Sequence, residues 1–572
     1  MTLDEPVWSV LGRGPDGTVV VADLNADGTE RRRTSVDSAA LASLVPAAGP
    51  ARRWVWSDAT RWYPPLLADG VVVARCHDLR LCHTILRGSA FVTDAAALRA
   101  HPEWDGPAAD AVTPAAETLF ELDERGDASS VPDGIDEALA EFARQRAALE
   151  GATAPGRLRL LLAAESAGAV IAVELHAAGL PWDAGVHDAI LVDLLGPRPA
   201  AGRLPARIEE LAVRVRDALG APAASLDSQP KLLRALHRVG VLATSTSRWE
   251  LAQYDHPVIA PLLEYKKLMR LLSANGWAWM EEWAAEGRFR PVYVPGGVVT
   301  GRWASSGGGA LQLPRQLRPA VRADPGWLLI IADVAQLEPR VLAAMAGDTA
   351  LADAARGQDL YAGVVAGGVV ATRQEAKGAI LGAMYGATTG DSGRLVPALR
   401  RAYPRAMTLV DEAARIGEDG GIVTTWLGRS APAPSSSWRD VQRGAGAIEA
   451  TAADESRARR SARDRGRFTR NFIVQGTAAE WALAWMADVR GRLAAFDAVE
   501  DAGGRSGPVF GRRAHLAFFL HDEIVVHAPA AQAEAAAEAV RAAADGARRL
   551  LFGDFPLDFP LDLRIAEDAG KA

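Results

Sequence analysis

The chain has little of what marks a secreted or membrane protein. Only two cysteines, Cys76 and Cys82, occur among 572 residues, so no disulfide framework organises the fold, and a reduced, cytoplasmic compartment is expected. The start, Met1-Thr2-Leu3-Asp4-Glu5, lacks the basic-then-apolar pattern of an export signal. The longest apolar run, Leu158 to Leu180, is broken by Glu165 and Glu174. It reads as a core-facing helix that ends in a turn at Gly179 and Pro181, not as a membrane span. A net positive charge is lacking as well, since the balance is -8. Composition alone therefore suggests no polyanionic partner, and such a partner has to be read from local patches.

What remains is a globular composition, 49% hydrophobic and 23% charged, in a chain too long for one core. Residues 1–155 mix short apolar runs such as Val19-Val20-Val21 and Val71-Val72-Val73 with turn residues, which predicts a small α/β domain. A polar connector runs from Asp123 to Gly134. Helical patterns dominate from Arg157 to Met280, including Arg207 to Leu219 and Pro257 to Leu272. Beyond Val292 short strands alternate with long helices. Ala431 to Arg467, with Pro and Ser first and mixed charge after, reads as a surface loop before a helix start.

Three stretches carry chemistry. Leu328 to Arg340 is an apolar strand that delivers Asp333 at its end, then Gln336, Glu338 and Arg340. His521-Asp522-Glu523 lies in the corner between Leu516–Leu520 and Ile524–Val526, the pattern of a β-hairpin. Two such carboxylates on one sheet can share a pair of Mg²⁺ ions, with Mn²⁺ as a substitute. An isolated Asp is more often a cap on a strand or turn, so the pairing carries the weight. Between these stretches, Thr372-x-x-Glu375 is a capping box that starts a helix at Arg373, and Gly386 stops it. Arg373, Lys377, Leu381 and Tyr385 then form one slanting stripe: two cations for phosphates, then an apolar and an aromatic surface for sugar and base.

Two further stretches support a nucleic-acid partner. Thr300-Gly301-Arg302-Trp303 is followed by Arg315, Arg318 and Arg322, a set that suits phosphate. Arg467, Asn471 and Gln475 share a helix face, and amides there can reach minor-groove acceptors, whose pattern tolerates any correct base pair.

In this order the motifs resemble the A, B and C motifs of family A, polymerase I-like DNA polymerases, from about Leu160 to Ile565. The resemblance includes the thumb-like Leu226-Asp227-Ser228-Gln229-Pro230-Lys231 and His256-Pro257 with Leu262-Leu263-Glu264-Tyr265. It implies an α+β right hand over residues 156–572, with a thumb at about 186–290 and palm and fingers at about 291–572. It also implies a degenerate 3′→5′ exonuclease-like domain over 1–155 and no 5′-nuclease segment. The implied partners are primer–template DNA and dNTPs, for a monomer acting beside the nucleoid in replication or repair. Asp333, Asp522 and the Val334 carbonyl would bind metal, and Lys377 and Glu523 would join them as catalytic residues. Arg373, Gln336, Tyr361, Leu381, Tyr385 and His521 would contact the nucleotide, and Glu338 would crowd a ribose 2′-hydroxyl. Arg302, Arg467, Asn471 and Gln475 would contact DNA.

Several positions depart from the family pattern. Val334, Ala335 and Pro339 replace three usual members of motif A, Leu381 stands where an aromatic is usual, and Tyr361 stands where a histidine is usual. No Asp-x-Glu pair, the start of a proofreading metal site, occurs before Pro155. Asp58 and Asp78 remain there, as the surface or turn residues that single Asp side chains usually are, and Cys82 stands where a second carboxylate is wanted. The alternatives are a non-catalytic DNA-binding repair scaffold, a polymerase that retains 3′→5′ exonuclease activity, and a single-subunit RNA polymerase, which Glu338 opposes.

Overall fold

The computed structural model describes residues 7–107, 131–200, 202–357, 359–386, 390–500 and 503–570. Strands β1 (Trp8–Arg13), β2 (Val19–Leu24), β3 (Glu30–Val36), β4 (Arg53–Trp56) and β5 (Cys76–Asp78) form one sheet in the order β3-β2-β1-β4-β5. Its first three strands are antiparallel and its last two join in parallel. Side chains alternate across it: Val10, Val20 and Val55 pack under helix Ile135–Glu150, while Leu11, Val21, Trp54 and Trp56 face the opposite core. Both faces are thus covered, as a strand rich in β-branched and aromatic residues requires. The run Val71–Val73 forms no strand, because it follows directly on helix Ala59–Ala68 and lies in the turn that leads to β5. The connector expected from Asp123 lies outside the described residues up to residue 130.

Helix Pro155–Ala178 serves two cores at once. Ala169 and Val170 pack with the first sheet, while Ile171, Ala172 and Leu175 join the large core of the remainder. Buried charges reinforce the junction. Arg490 donates to Glu174 and to the Val73 carbonyl, both at 2.7 Å, and Arg429 donates to Glu165 at 2.7 Å. A helical arm follows, built on helices Ala206–Ala218, Gln229–Arg238 and Ile259–Asn275, with Tyr265 bonded to Asp227 at 3.0 Å. Two short ladders close its base: β6 (Leu180–Pro181) with β7 (Arg288–Phe289), and β8 (Val292–Val294) with β9 (Ala304–Gly307).

The second large sheet holds β10 (Trp327–Val334), β11 (His515–Leu520), β12 (Glu523–Pro529) and β13 (Leu561–Ala566) in the order β11-β12-β10-β13, all antiparallel. Leu329, Ile330 and Ala332 are fully buried, so β10 is anchored along its length and only its end is free to present polar groups. A 43-residue helix, Ala452–Ala494, packs beside this sheet; at 1.5 Å per residue it is roughly 65 Å long. The stretch Ala431–Arg467 is mostly helical, not a loop: Ser436–Ala445 is one helix, and the long helix starts at Ala452 behind a Thr451–Asp454 capping box. Its mixed charge resolves into ion pairs three and four residues apart, such as Arg459–Glu455, which solvate a helix as readily as a loop.

Candidate active site

The end of β10 and the β11–β12 corner meet through one backbone bond, from the Val334 N–H to the Asp522 carbonyl at 3.0 Å. Asp333 lies opposite Glu523 on β12 and opposite Asp562 on β13, so these three carboxylates share one face and line one open cavity. Glu523 is nearly buried and accepts from Arg318 at 2.8 Å. Asp522, one residue earlier in the corner, turns toward a neighbouring cavity of about 340 Å³. Burial raises its carboxyl above the ordinary range, with His521 and Arg302 opposing the shift. Two conformations of positive φ frame the junction, Gln336 at 50° and His521 at 59°. Non-glycine residues rarely adopt this region, and such strain gathers at functional sites.

Asp522 shares its cavity with Arg302, Gln336, Glu338, Tyr361, Leu381, Tyr385 and His521. Glu338 is clamped there, ion-paired with Arg302 and accepting a hydrogen bond from the Tyr385 hydroxyl. Burial, then the bond to Glu338, pushes the Tyr385 phenol well above its usual value. His521 is pushed below the usual imidazole value by burial and then by Arg302, which favours a neutral ring at pH 7. Gln336 links strand to helix: its amide donates to Asp359 at 3.0 Å and its oxygen accepts from the Leu360 N–H at 3.3 Å.

The stripe on helix Arg373–Tyr385 forms as expected, with both halves of the Thr372–Glu375 capping box made and Gly386 closing the helix at φ 73°. Arg373 is paired with Asp359 at 2.7 Å and lies 5.6 Å over the Tyr361 ring. Lys377 is exposed and has no ion pair among the described residues. Leu381 and Tyr385 line the cavity. On the long helix, Arg467 is exposed and Asn471 and Gln475 are half-buried, one turn apart in sequence. The Asn471 amide oxygen is buried with no hydrogen-bond partner among the described residues, which is costly unless a ligand supplies one.

The sequence model for DNA polymerase family A matches residues 203–567, more than half of the chain. The chain belongs to DNA polymerase family A. DNA polymerase I of Chloroflexus aurantiacus is 29% identical over 343 residues, 55% of this chain and 33% of that protein. The thermostable DNA polymerase I of Thermus aquaticus is 25% identical over 359 residues, 57% of this chain and 38% of that protein. The chain thus matches little more than a third of these relatives' length. Its fold is similar to the POL domain of Pol1 from M. smegmatis, solved in complex with DNA primer-template and dNTP. The TM-score is 0.64 at 17% identity, over 100% of this chain and 96% of that one.

The family A chain shows features that its motifs did not disclose. Arg318 and Arg322, read as phosphate ligands, are engaged with Glu523 and Asp568; Arg315 and Arg322 are exposed and Arg318 is half-buried. Asp562 was missed because a lone acid in a terminal strand carries no motif; only the register places it beside Asp333. Arg340, fully buried, bonds the carbonyls of Ala335, Ala355 and Asp558 at 3.0 Å each and so braces the loop after Asp333.

In the first domain, Asp58 and Asp78 are buried and not at the surface. Each caps a helix: Asp58 accepts from the Thr60 N–H at 2.9 Å and Asp78 from the Leu81 N–H at 3.0 Å, with Arg80 bonded to Asp58 at 2.7 Å. The caps explain the burial, because a carboxylate there satisfies backbone donors that would otherwise be orphaned. Among the described residues no group of three or more His, Cys, Asp or Glu side chains is arranged to hold a metal ion. Open Mg²⁺ sites need fewer protein ligands, since water and substrate phosphates complete them. The hard oxygen donors of Asp333, Asp522 and the Val334 carbonyl fit that class. No described helix is long and apolar enough to cross a membrane.

Proposed function

We propose that the chain is a template-directed DNA polymerase that adds deoxynucleotides to a primer 3′ end by two-metal nucleotidyl transfer. The observation that carries this reading is the shared cavity. Arg302, Glu338, Leu381, Tyr385 and Asp522 come from four separate stretches and line one space, and a backbone bond ties the Asp522 corner to the end of the Asp333 strand. Asp333 and Asp522, with the Val334 carbonyl, would hold Mg²⁺, which when bound would stabilise the attacking and leaving oxygens of an in-line displacement. Lys377 offsets triphosphate charge, and Arg373 joins it on exchanging Asp359 for phosphate. Tyr385 and Leu381 wall the base and sugar, while the Glu338 carboxylate occupies the space a 2′-hydroxyl would need. Asn471 and Gln475 meet the minor-groove acceptors of the nascent pair, and Arg302 and Arg467 meet backbone phosphate. The first domain serves as a scaffold, since its two central carboxylates are committed to helix caps.

Primer extension tests the reading. The purified chain with Mg²⁺ should extend a primed template with dNTPs and not with rNTPs or in EDTA. DNA binding without extension would identify a repair scaffold instead. Equal use of rNTPs would point to an RNA polymerase.

A further inference from the structure

Another cavity, of about 440 Å³, lies at the end of the helix that carries Tyr385. Gly382, Ala383 and Gly386 of that helix line it, and the long helix faces it with Arg460, Arg463, Arg467 and Arg470. The surrounding segment reverses the charge of the chain: residues 436–470 hold nine arginines against five acids in a protein of net charge -8.

Most arginines of the long helix's first half are already engaged. Arg457 pairs with Asp454, Arg459 with Glu455, Arg467 with Asp464 and Arg470 with Asp411. Arg465 donates to the Gly421 and Pro432 carbonyls. Arg460 and Arg463 differ: both are exposed on the cavity wall, with no ion pair among the described residues. They lie on the face that continues through Arg467, Asn471 and Gln475. At 1.5 Å per residue, Arg460 stands roughly 10 Å before Arg467 and roughly 22 Å before Gln475 along the axis. A nucleic-acid strand that leaves the first cavity past Tyr385 therefore meets a row of cations before reaching solvent.

We infer that Arg460 and Arg463 form a phosphate-binding track for the unpaired template strand ahead of the primer terminus. The inference rests on the polymerase reading for the direction of the strand, but the binding it describes is measurable without synthesis. Even at the axial rise of about 3.4 Å per phosphate that one strand has in a duplex, a lower limit for an unpaired strand, no more than roughly three nucleotides cover the distance from Arg467 to Arg460. Overhangs of one nucleotide should miss the track, and overhangs of six should occupy it.

The experiment measures affinity by fluorescence anisotropy, without dNTPs, for one duplex with template 5′ overhangs of zero, one, three, six and ten nucleotides. Wild-type protein should gain affinity up to about six nucleotides and then level off. Arg460→Ala/Arg463→Ala should lose that gain while binding the blunt duplex as wild type does. Its log–log salt slope on the six-nucleotide overhang should be shallower by about 1.4, the loss expected for two single-strand phosphate contacts. Arg541→Ala/Arg549→Ala, a surface pair on helix Ala533–Phe552, controls for net charge and should leave the length dependence intact. A length dependence that survives the first double substitution, or that is absent from wild type, overturns the track. Primer extension by the same wild-type preparation separates the two claims: no extension with Mg²⁺ and dNTPs counts against the polymerase reading, whatever the overhang series shows.

Discussion

Replacing Glu338 with alanine should change which sugar the chain accepts as well as how fast it incorporates a nucleotide. The Glu338 side chain is 12% exposed and is held by Arg302 on one side and the Tyr385 hydroxyl on the other. The Tyr385 bond goes to a charged acceptor in a half-buried setting and is of the class worth about 1.5–3 kcal/mol. The Arg302 partner is 37% exposed, so its pairing adds at most about 1 kcal/mol after solvent screening. Truncation loses both, and kcat/KM for dNTPs should fall by roughly 10- to 900-fold if the whole amount is felt in the transition state. An rNTP suffers the same loss but gains the vacated space, so the dNTP-to-rNTP ratio should drop at least tenfold. Glu338→Gln separates the two effects, because it keeps the bulk and an acceptor for Tyr385 while removing the charge; it should lose rate yet keep sugar selection. Single-nucleotide incorporation with matched dNTP and rNTP, run to full kcat/KM for each variant, gives the ratio directly. An unchanged ratio in Glu338→Ala would refute the gate and show that Pro339 has re-aimed the carboxylate.

Asp333→Ala or Asp522→Ala should abolish extension and leave primer–template affinity within about threefold of wild type, by anisotropy, because metal serves chemistry more than docking; normal extension by either variant would remove the assignment. Lys377→Ala should raise KM for dNTP more than Arg373→Ala does, since Arg373 is already paired with Asp359; steady-state kinetics giving wild-type values for both would make the stripe a solvated edge. Protein with Mg²⁺ or Mn²⁺ and no dNTP should leave mismatched 3′ ends intact on a sequencing gel, and trimming that survives Asp333→Ala but stops in Asp78→Ala would restore a proofreading site. Burial, then the neighbouring Asp58 charge, raises the Asp78 carboxyl to about 7. The folded state then binds more protons than the unfolded one between about pH 4 and pH 7, so stability is lost as pH rises through that window. Asp78→Asn should flatten the fall in thermal midpoint between pH 5 and pH 8, and an unchanged slope would show that Asp78 is ionised throughout.

The elements that sequence disclosed best are those where a local rule and the tertiary environment agree. Thr372, Glu375 and Gly386 bound a helix by capping chemistry alone, and the structure makes every one of those bonds. The strand ending at Asp333 was legible because an uninterrupted apolar run can only be a buried element, and the hairpin because a polar triplet divides two such runs. Ala431–Arg467 misled because low hydrophobicity and mixed charge describe an exposed helix as well as a loop; what decides between them is the pairing of opposite charges three and four residues apart, which runs through this segment.

Partnership between distant charges was not legible at all. Arg318 looks like a free cation in sequence, and only the fold brings it to Glu523; Arg302 and Glu338 are likewise partners across 36 positions. A buried or half-buried charge is tolerated only when paired, so each of these arginines has its reach fixed by a motif acid that only the fold brings to it. The same principle separates the two kinds of carboxylate in the chain. Asp58 and Asp78 are buried with their oxygens already bonded to backbone and to Arg80, which leaves little capacity for a metal ion. Asp522 is drawn into its cavity with its carboxyl raised by burial and opposed first by a hydrogen bond from its own backbone, a state that a bound cation would relieve. Saturation of acceptors, more than the number of acids, is thus what distinguishes Asp58 and Asp78 from Asp522, and it can be read only after the chain is folded.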